Sequence, residues 1–256
     1  MCDGVSGYFS GSDEYTRAVL PFSNEKEMFY INLLAINRSQ NYAALDTTLA
    51  HELQHMIHWH MDRGEELWIN EGLSEYAQQV AEFAVGGAFT AAFTADPDLQ
   101  LTSWGTVNGN RPHYGAAYLF IVYLAQQFGP PAIANLVADP DNGMSSVTNA
   151  LASVGAELDG EQLFADWVAA NYADQALAED GRYGYQELDP PAPAVAAQHV
   201  QFPVAPQQGT VGNFATDYIE LAGAGDVVFT FAGATATALA AAELAAGERA
   251  WWANRA

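Results

Sequence analysis

Hydrophobic residues recur at helical spacing along most of the first 190 positions, and this pattern predicts a mainly helical fold. Asp46 or Thr47 is the expected N-cap of the first long helix. The segment 29–36 is short, aromatic and branched, which predicts one buried strand. We therefore expect an α+β domain over residues 1–188. Its helices are predicted at about 46–62, 69–84, 114–128, 131–138, 144–154 and 160–172.

The composition of the chain changes after residue 188. Residues 189–209 are rich in proline and predict an extended linker. Beyond the linker, alternation at 218–221 and branched and aromatic residues at 227–231 predict strands. Because residues 210–256 are too few for a complete sandwich, we expect a partial β-sandwich-like domain that is truncated.

The chain is strongly acidic, with 31 Asp and Glu against 8 Lys and Arg and a formal net charge of −23. A surface of this sign repels nucleic-acid phosphates and anionic lipids, so we expect neither nucleic acid nor a membrane as a partner. Half of the residues are hydrophobic, which excludes a disordered chain. Cys2 is the only cysteine, which excludes an intramolecular disulfide and a cysteine-based zinc cage.

The sequence His51-Glu-Leu-Gln-His55 carries the clearest chemical signal. On a helix, positions i and i+4 share one face, so the two imidazoles lie side by side at the spacing that binds one metal ion. Glu52 lies next to the first of them and can act as general base on a metal-activated water. Leucines at positions 45, 49 and 53 form an apolar stripe, which we interpret as the buried face of this helix.

A third ligand is expected from the helix that follows. Glu71 lies 16 residues after His55, and a turn at Arg63–Gly64 lets this second helix fold back. The Glu71 carboxylate then completes three protein ligands and leaves an open position for water. Glu75, one turn further along the same face, can accept a hydrogen bond from a ligand imidazole, and Asn70 can do the same.

Other assignments near the motif are less favourable. His58 shares a face with His51, but an axial rise of about 10 Å over seven residues makes three histidines on one straight helix a poor cage. We interpret His58 as a neighbour or a core residue. A metzincin pattern requires Gly at position 58 and His at position 61, where this chain has His58 and Met61. Asp62, Glu65 and Glu66 are interpreted as a solvated acidic rim.

The two motifs together resemble those of the gluzincin metallopeptidases. More narrowly, the chain is similar to the hyicolysin-type bacterial zinc peptidases, with kinship to immune-inhibitor-A-like secreted proteases. The resemblance implies a zincin-like catalytic domain, with zinc on His51, His55 and Glu71 and with Glu52 as general base. The implied activity is hydrolysis of peptide bonds in peptides or proteins, and an endopeptidase is favoured because no acidic motif for a free amine is visible. It also implies a secreted protein, although no signal peptide is visible in the chain.

Hydrolysis of an amide also needs a donor for the oxyanion, beyond the metal itself. In gluzincins a tyrosine or histidine downstream of the ligands has this role. The candidates in this chain are Tyr114, then His113, then Tyr118, at the start of the helix predicted over 114–128.

Two further interpretations remain open. Asp139-Pro-Asp-Asn-Gly143 is similar to a calcium loop but lacks the closing bidentate acid, so a turn is favoured over a calcium site. The alternative function is a catalytically inactive metallopeptidase-like module for binding or adhesion. Glu52 argues against that alternative, because a binding module has no need of a base beside its ligands.

Overall fold

The structure is a computed structural model of the chain. It describes residues 6–34, 37, 42–83, 85–104, 109–174, 181–222, 228, 230, 238–244 and 249–255, the last two ranges by their backbone alone. Across these residues the protein is α+β and mainly helical, which confirms the expected class.

Six α-helices lie in the described part of the chain. They are α1 (Ala43–Met61), α2 (Leu67–Val80), α3 (Gly87–Thr94), α4 (Arg111–Ala138), α5 (Met144–Ser153) and α6 (Gly160–Ala173). The sequence pattern did not indicate α3, because its eight residues are apolar almost all round and follow a glycine pair. The two helices predicted over 114–138 are both present as two helical segments of α4, separated at Gly129, whose backbone is non-helical with φ 77° and ψ 175°.

The predicted N-cap of α1 is wrong. The helix begins three residues before Asp46, which lies in the first turn, where a carboxylate interacts favourably with the helix dipole. Thr47 is also inside the helix and donates a hydrogen bond from Oγ1 to the Ala43 carbonyl at 3.0 Å. No side chain caps the N-terminus of α1 among the described residues.

Helix α4 is the centre of the core. Residues 115–125 are all buried, and the helix contacts the five other helices. Trp68 of α2 meets Phe120 of α4 edge to face at 5.4 Å between ring centroids, and Phe120 meets Trp167 of α6 at 5.6 Å. Aromatic pairs in this geometry contribute about 0.5–1.5 kcal/mol each beyond their buried area. The core therefore fixes α2 and α4 relative to each other.

Two glycines permit close helix crossings at α4. A Cβ at Gly115 would lie 2.1 Å from the carbonyl oxygen of Phe89 in α3. A Cβ at Gly72 of α2 would lie 2.8 Å from the carbonyl oxygen of Ala117. Because both neighbours are backbone atoms, no side-chain rotation can relieve these contacts.

The strands form short ladders. β1 (Gly7–Phe9) pairs antiparallel with β2 (Phe29–Ile31), and β3 (Ala197–His199) pairs parallel with β5 (Ile219–Leu221). A three-stranded antiparallel sheet has the order β4–β7–β6, where β4 is Thr216–Asp217, β6 is Ala238–Leu244 and β7 is Arg249–Arg255. Most of the strand predicted at 227–231 lies outside the described residues, and the partial sandwich stays a prediction.

The strand predicted at 29–36 is shorter and less buried than expected. Only Phe29–Ile31 pairs, its side chains are half-buried, and Leu33 and Leu34 are exposed. Residues 35–36 lie outside the described residues. The branched and aromatic composition predicts a buried strand, but β1 and β2 lie at the surface beside α1.

Residues beyond the predicted linker contribute to the helical core. Phe214 contacts Phe164 edge to face at 5.3 Å, and the Tyr218 hydroxyl donates to the Val168 carbonyl at 2.9 Å. Both aromatic residues belong to the same buried cluster as α4 and α6. The domain boundaries at 188 and 210 stay a prediction, but these contacts join residues on both sides of them. No helix in the described part of the chain is long and apolar enough to span a membrane.

We expect Gly115→Ala to lower the free energy of unfolding by about 1–3 kcal/mol or more, because α3 and α4 must separate to admit the methyl group. Urea denaturation measures this change. Gly87→Ala is the matched control, since a Cβ there meets nothing within 4 Å. Its stability should be unchanged or slightly higher, and an equal loss in both variants would contradict the close crossing.

Candidate metal centre

The two histidines of the motif lie on the inward face of α1. Their ring centroids are 4.7 Å apart, and their side chains are 14% and 19% exposed. The apolar stripe predicted as the buried face is instead partly exposed, and Leu53 is 44% exposed. The buried side chains of α1 in the described structure are Glu52 and His58. The interpretation of the leucine stripe was wrong because the polar face of α1 meets α2.

Three ligand atoms from α1 and α2 converge on one point. The Nε2 atoms of His51 and His55 are 3.0 Å apart, and Glu71 Oε2 lies 3.2 Å from the first and 3.6 Å from the second. A tetrahedral ion with bonds of about 2.0–2.1 Å holds its ligand atoms about 3.3–3.4 Å apart. The group His51, His55 and Glu71 can therefore hold one metal ion.

Side chains of α2 orient both imidazoles. The Nδ1–H of His55 donates to Asn70 Oδ1, and Ser74 Oγ lies 3.1 Å from the same nitrogen. His51 Nδ1 lies 3.3 Å from Glu75 Oε1. Because a carboxylate and an amide oxygen accept hydrogen bonds, the contacts with Glu75 and Asn70 favour a ring proton on Nδ1, while both Nε2 atoms face Glu71.

Electrostatics at the site favour a positive charge between the helices. Burial acts to lower the pKa of His51, but hydrogen bonds and attraction from Glu71 and Glu75 outweigh it and raise this pKa to about 10. Burial acts to raise the pKa of Glu71, and the contacts from His51 and His55 instead lower it to about 2. The carboxylate is thus ionised and pairs with a cation, which can be a proton on His51 or a metal ion.

Glu52 lies beside this group without belonging to it. Its side chain is buried, and the backbone N–H of Phe9 in β1 donates to Glu52 Oε2 at 2.8 Å. Burial raises the pKa of Glu52, partly offset by the charges of His51 and His55. A carboxyl group with a raised pKa in this position can exchange a proton with a water molecule bound to a metal ion at the site.

The structure distinguishes the three candidate oxyanion donors. Burial raises the pKa of Tyr114, and the charges of Glu71 and Glu75 and a hydrogen bond with Glu71 raise it further, so its hydroxyl lies beside the metal ligands. His113 packs against the Trp104 ring at 5.5 Å, and burial alone lowers its pKa. Tyr118 donates its hydroxyl to Gln79 Oε1 at 2.8 Å. Of the three candidates, Tyr114 is thus the one with a hydrogen bond to Glu71.

Three contacts at the site were missed from the sequence. Ser74 contacts His55, the Gln78 side-chain amide lies 3.1 Å from His51 Nδ1, and Phe9 contributes only its backbone. The spacing of Asn70, Ser74 and Gln78 at i, i+4 and i+8 was a visible signal, since it places them on the face that carries Glu71. A backbone donor such as Phe9 has no signal in the side-chain pattern.

The loop considered as a calcium site is closed by an amide. Asn149 Nδ2 donates to Asp139 Oδ1 at 3.1 Å and to Asp141 Oδ2 at 2.9 Å. The Asp141 backbone N–H also donates to Asp139 Oδ1 at 2.9 Å. These bonds agree with the turn that the sequence favoured, and calcium binding stays an untested prediction.

No protein-family model matches the chain, and a comparison with curated proteins finds no match. The functional interpretation therefore depends on the geometry of this site.

We expect Glu75→Gln to weaken the binding of a divalent metal ion by about 10- to 100-fold, because the neutral amide orients the His51 ring less firmly than the carboxylate does. Calorimetric titration of the metal-free protein with Zn²⁺ measures this loss. Glu82→Gln removes the same charge just beyond the end of α2 and should bind like the parent protein. Equal affinities of all three proteins would show that Glu75 does not support the ligand.

Proposed function

We propose that this protein is a zinc-dependent peptidase, an endopeptidase of zincin-like architecture. His51, His55 and Glu71 would hold the zinc ion, which when bound polarises the scissile carbonyl and makes water a stronger acid. The ligand atoms are spaced for an ion of this size, and three protein ligands leave one tetrahedral position open. Secretion and a partial β-sandwich beyond the helical part belong to the same proposal.

The position and environment of Glu52 carry this proposal. A purely structural metal site needs no carboxyl group beside its ligands, and burial of one costs free energy. In this protein Glu52 is buried, its orientation is fixed by the Phe9 N–H, and its pKa is raised. A base is most effective when its pKa lies near the working pH, so burial tunes Glu52 for proton transfer.

Each nearby residue has a defined role in this reaction. Glu52 takes the proton from the attacking water and delivers it to the leaving amine. The Tyr114 hydroxyl donates a hydrogen bond to the oxyanion that develops on the carbonyl. Glu75 and Asn70 keep the two imidazoles in the orientation that binds the ion.

The direct test is Glu52→Gln. We expect zinc binding to be retained and hydrolysis of casein to fall by at least about 10²- to 10⁴-fold, because the amide cannot accept the proton. Zinc content by elemental mass spectrometry and a chelator-sensitive casein assay measure the two properties on the same sample.

Comparison of the parent protein with Glu52→Gln distinguishes a peptidase from a binding module. Zinc-dependent hydrolysis that persists in Glu52→Gln would contradict the role of the base. A parent protein that binds zinc but cleaves neither casein nor a library of peptides would instead favour a binding module.

Tyr114→Phe tests the oxyanion donor. We expect kcat to fall by about 10²- to 10³-fold with little change in KM, because the oxyanion that the hydroxyl stabilises develops only in the transition state. Tyr118→Phe is the matched control, since its hydroxyl binds Gln79 on α2. A loss of kcat in Tyr118→Phe but not in Tyr114→Phe would reverse the assignment.

A further inference from the structure

A second group of ligand-type side chains lies at the C-terminal end of α1. It consists of His58 in the last turn of the helix, and Asp62 and Glu65 in the connection to α2. One ligand atom from each of the three residues lies within 4.8 Å of the others. None of these residues belongs to the centre formed by His51, His55 and Glu71.

His58 is buried without a polar partner among the described residues. Its side chain is 0% exposed, and neither Nδ1 nor Nε2 makes a hydrogen bond in that part of the chain. Asp62 Oδ2 is likewise buried and unpaired there. Burial of a polar group without a partner is unfavourable, so these atoms point to a ligand between them.

The imidazole of His58 is in the state that binds metals. Burial lowers its pKa to about 4, despite the opposing charge of Asp62, so the ring is neutral and has a free lone pair at neutral pH. A neutral imidazole also excludes a simple ion pair with Asp62 as the reason for the cluster.

Glu65 is held in place by the N-terminal end of α5. The Gly143 backbone N–H donates to Glu65 Oε1, and the Ser146 hydroxyl donates to Oε2, both at 2.8 Å. The interpretation of Glu65 as part of a solvated rim is therefore wrong, because its carboxylate binds groups at the start of α5. The Glu66 backbone N–H also donates to Glu65 Oε1, at 2.5 Å, so Oε1 has two donors. Oε2 has one donor and keeps a lone pair for a ligand, since each oxygen has two.

We propose that His58, Asp62 and Glu65 form a second divalent-cation site, specific for a zinc-like ion and structural in role. One imidazole with two carboxylates suits Zn²⁺ better than Ca²⁺ or Mg²⁺, which prefer oxygen ligands throughout. The two carboxylates neutralise the charge of the ion. Such an ion would join the end of α1 to the turn that begins α2, and through Glu65 to α5.

Zinc stoichiometry tests this site independently of catalysis. The full chain is stripped with a chelator, loaded with excess Zn²⁺, desalted and analysed by elemental mass spectrometry. We expect two zinc ions per chain in the parent protein, one in Asp62→Asn, one in His51→Ala and none in the double variant. Asp46→Asn, an exposed acid at the opposite end of α1, is the control and should keep two.

The outcomes separate this proposal from the proposed function. Loss of one zinc in Asp62→Asn with no loss in His51→Ala would support the second site and contradict the first. Loss only in His51→Ala would overturn the second site. A parent protein that binds no zinc would overturn both.

A measurement of thermal stability distinguishes zinc bound at His58, Asp62 and Glu65 from zinc bound adventitiously at the surface. A hundredfold excess of Zn²⁺ over its dissociation constant should raise the Tm of His51→Ala by about 5 °C or more. The same addition should leave the double variant unchanged. Equal shifts in both variants would show that the stabilising ion does not bind His58, Asp62 and Glu65.

Discussion

The contact between the polar faces of α1 and α2 is the constraint on which the rest of the structure depends. Burial of polar groups is costly unless each finds a partner, so the two helices can meet only in a register that pairs them. In the observed register, Asn70 and Glu75 of α2 contact the Nδ1 atoms of His55 and His51, respectively. The Nε2 atoms then face Glu71, and the group that can hold a metal ion follows from this pairing.

Helix α2 connects this polar contact to the hydrophobic core, because its two faces pack against different neighbours. The polar face binds α1, while Trp68, Ile69 and Leu73 are buried on the other side. Gly72 allows α2 to approach the backbone of α4 closely. The same helix α4 carries Tyr114, so one packed interface sets the positions of both Glu71 and the Tyr114 hydroxyl. A small shift of α4 would therefore move the Tyr114 hydroxyl relative to Glu71.

Local sequence pattern determined much of the fold and of the centre. The predicted helices at 144–154 and 160–172 agree with α5 and α6 within a residue at each end. His51 and His55 share a face because any helix places i and i+4 together, and the position of Glu71 on the next helix follows from the turn between them. These features depend only on the geometry within an element and on short connections.

The tertiary structure alone decided which faces point inward. Leu53 belongs to an apolar stripe that is partly exposed, and His58 is buried, because the neighbour of α1 is a polar helix face. Phe9 reaches Glu52 across 43 positions through its backbone, and Phe214 joins a core of helices that lie far before it in the chain. Contacts of this kind are set by the packing of distant elements, whereas a sequence pattern records only the periodicity of one element at a time.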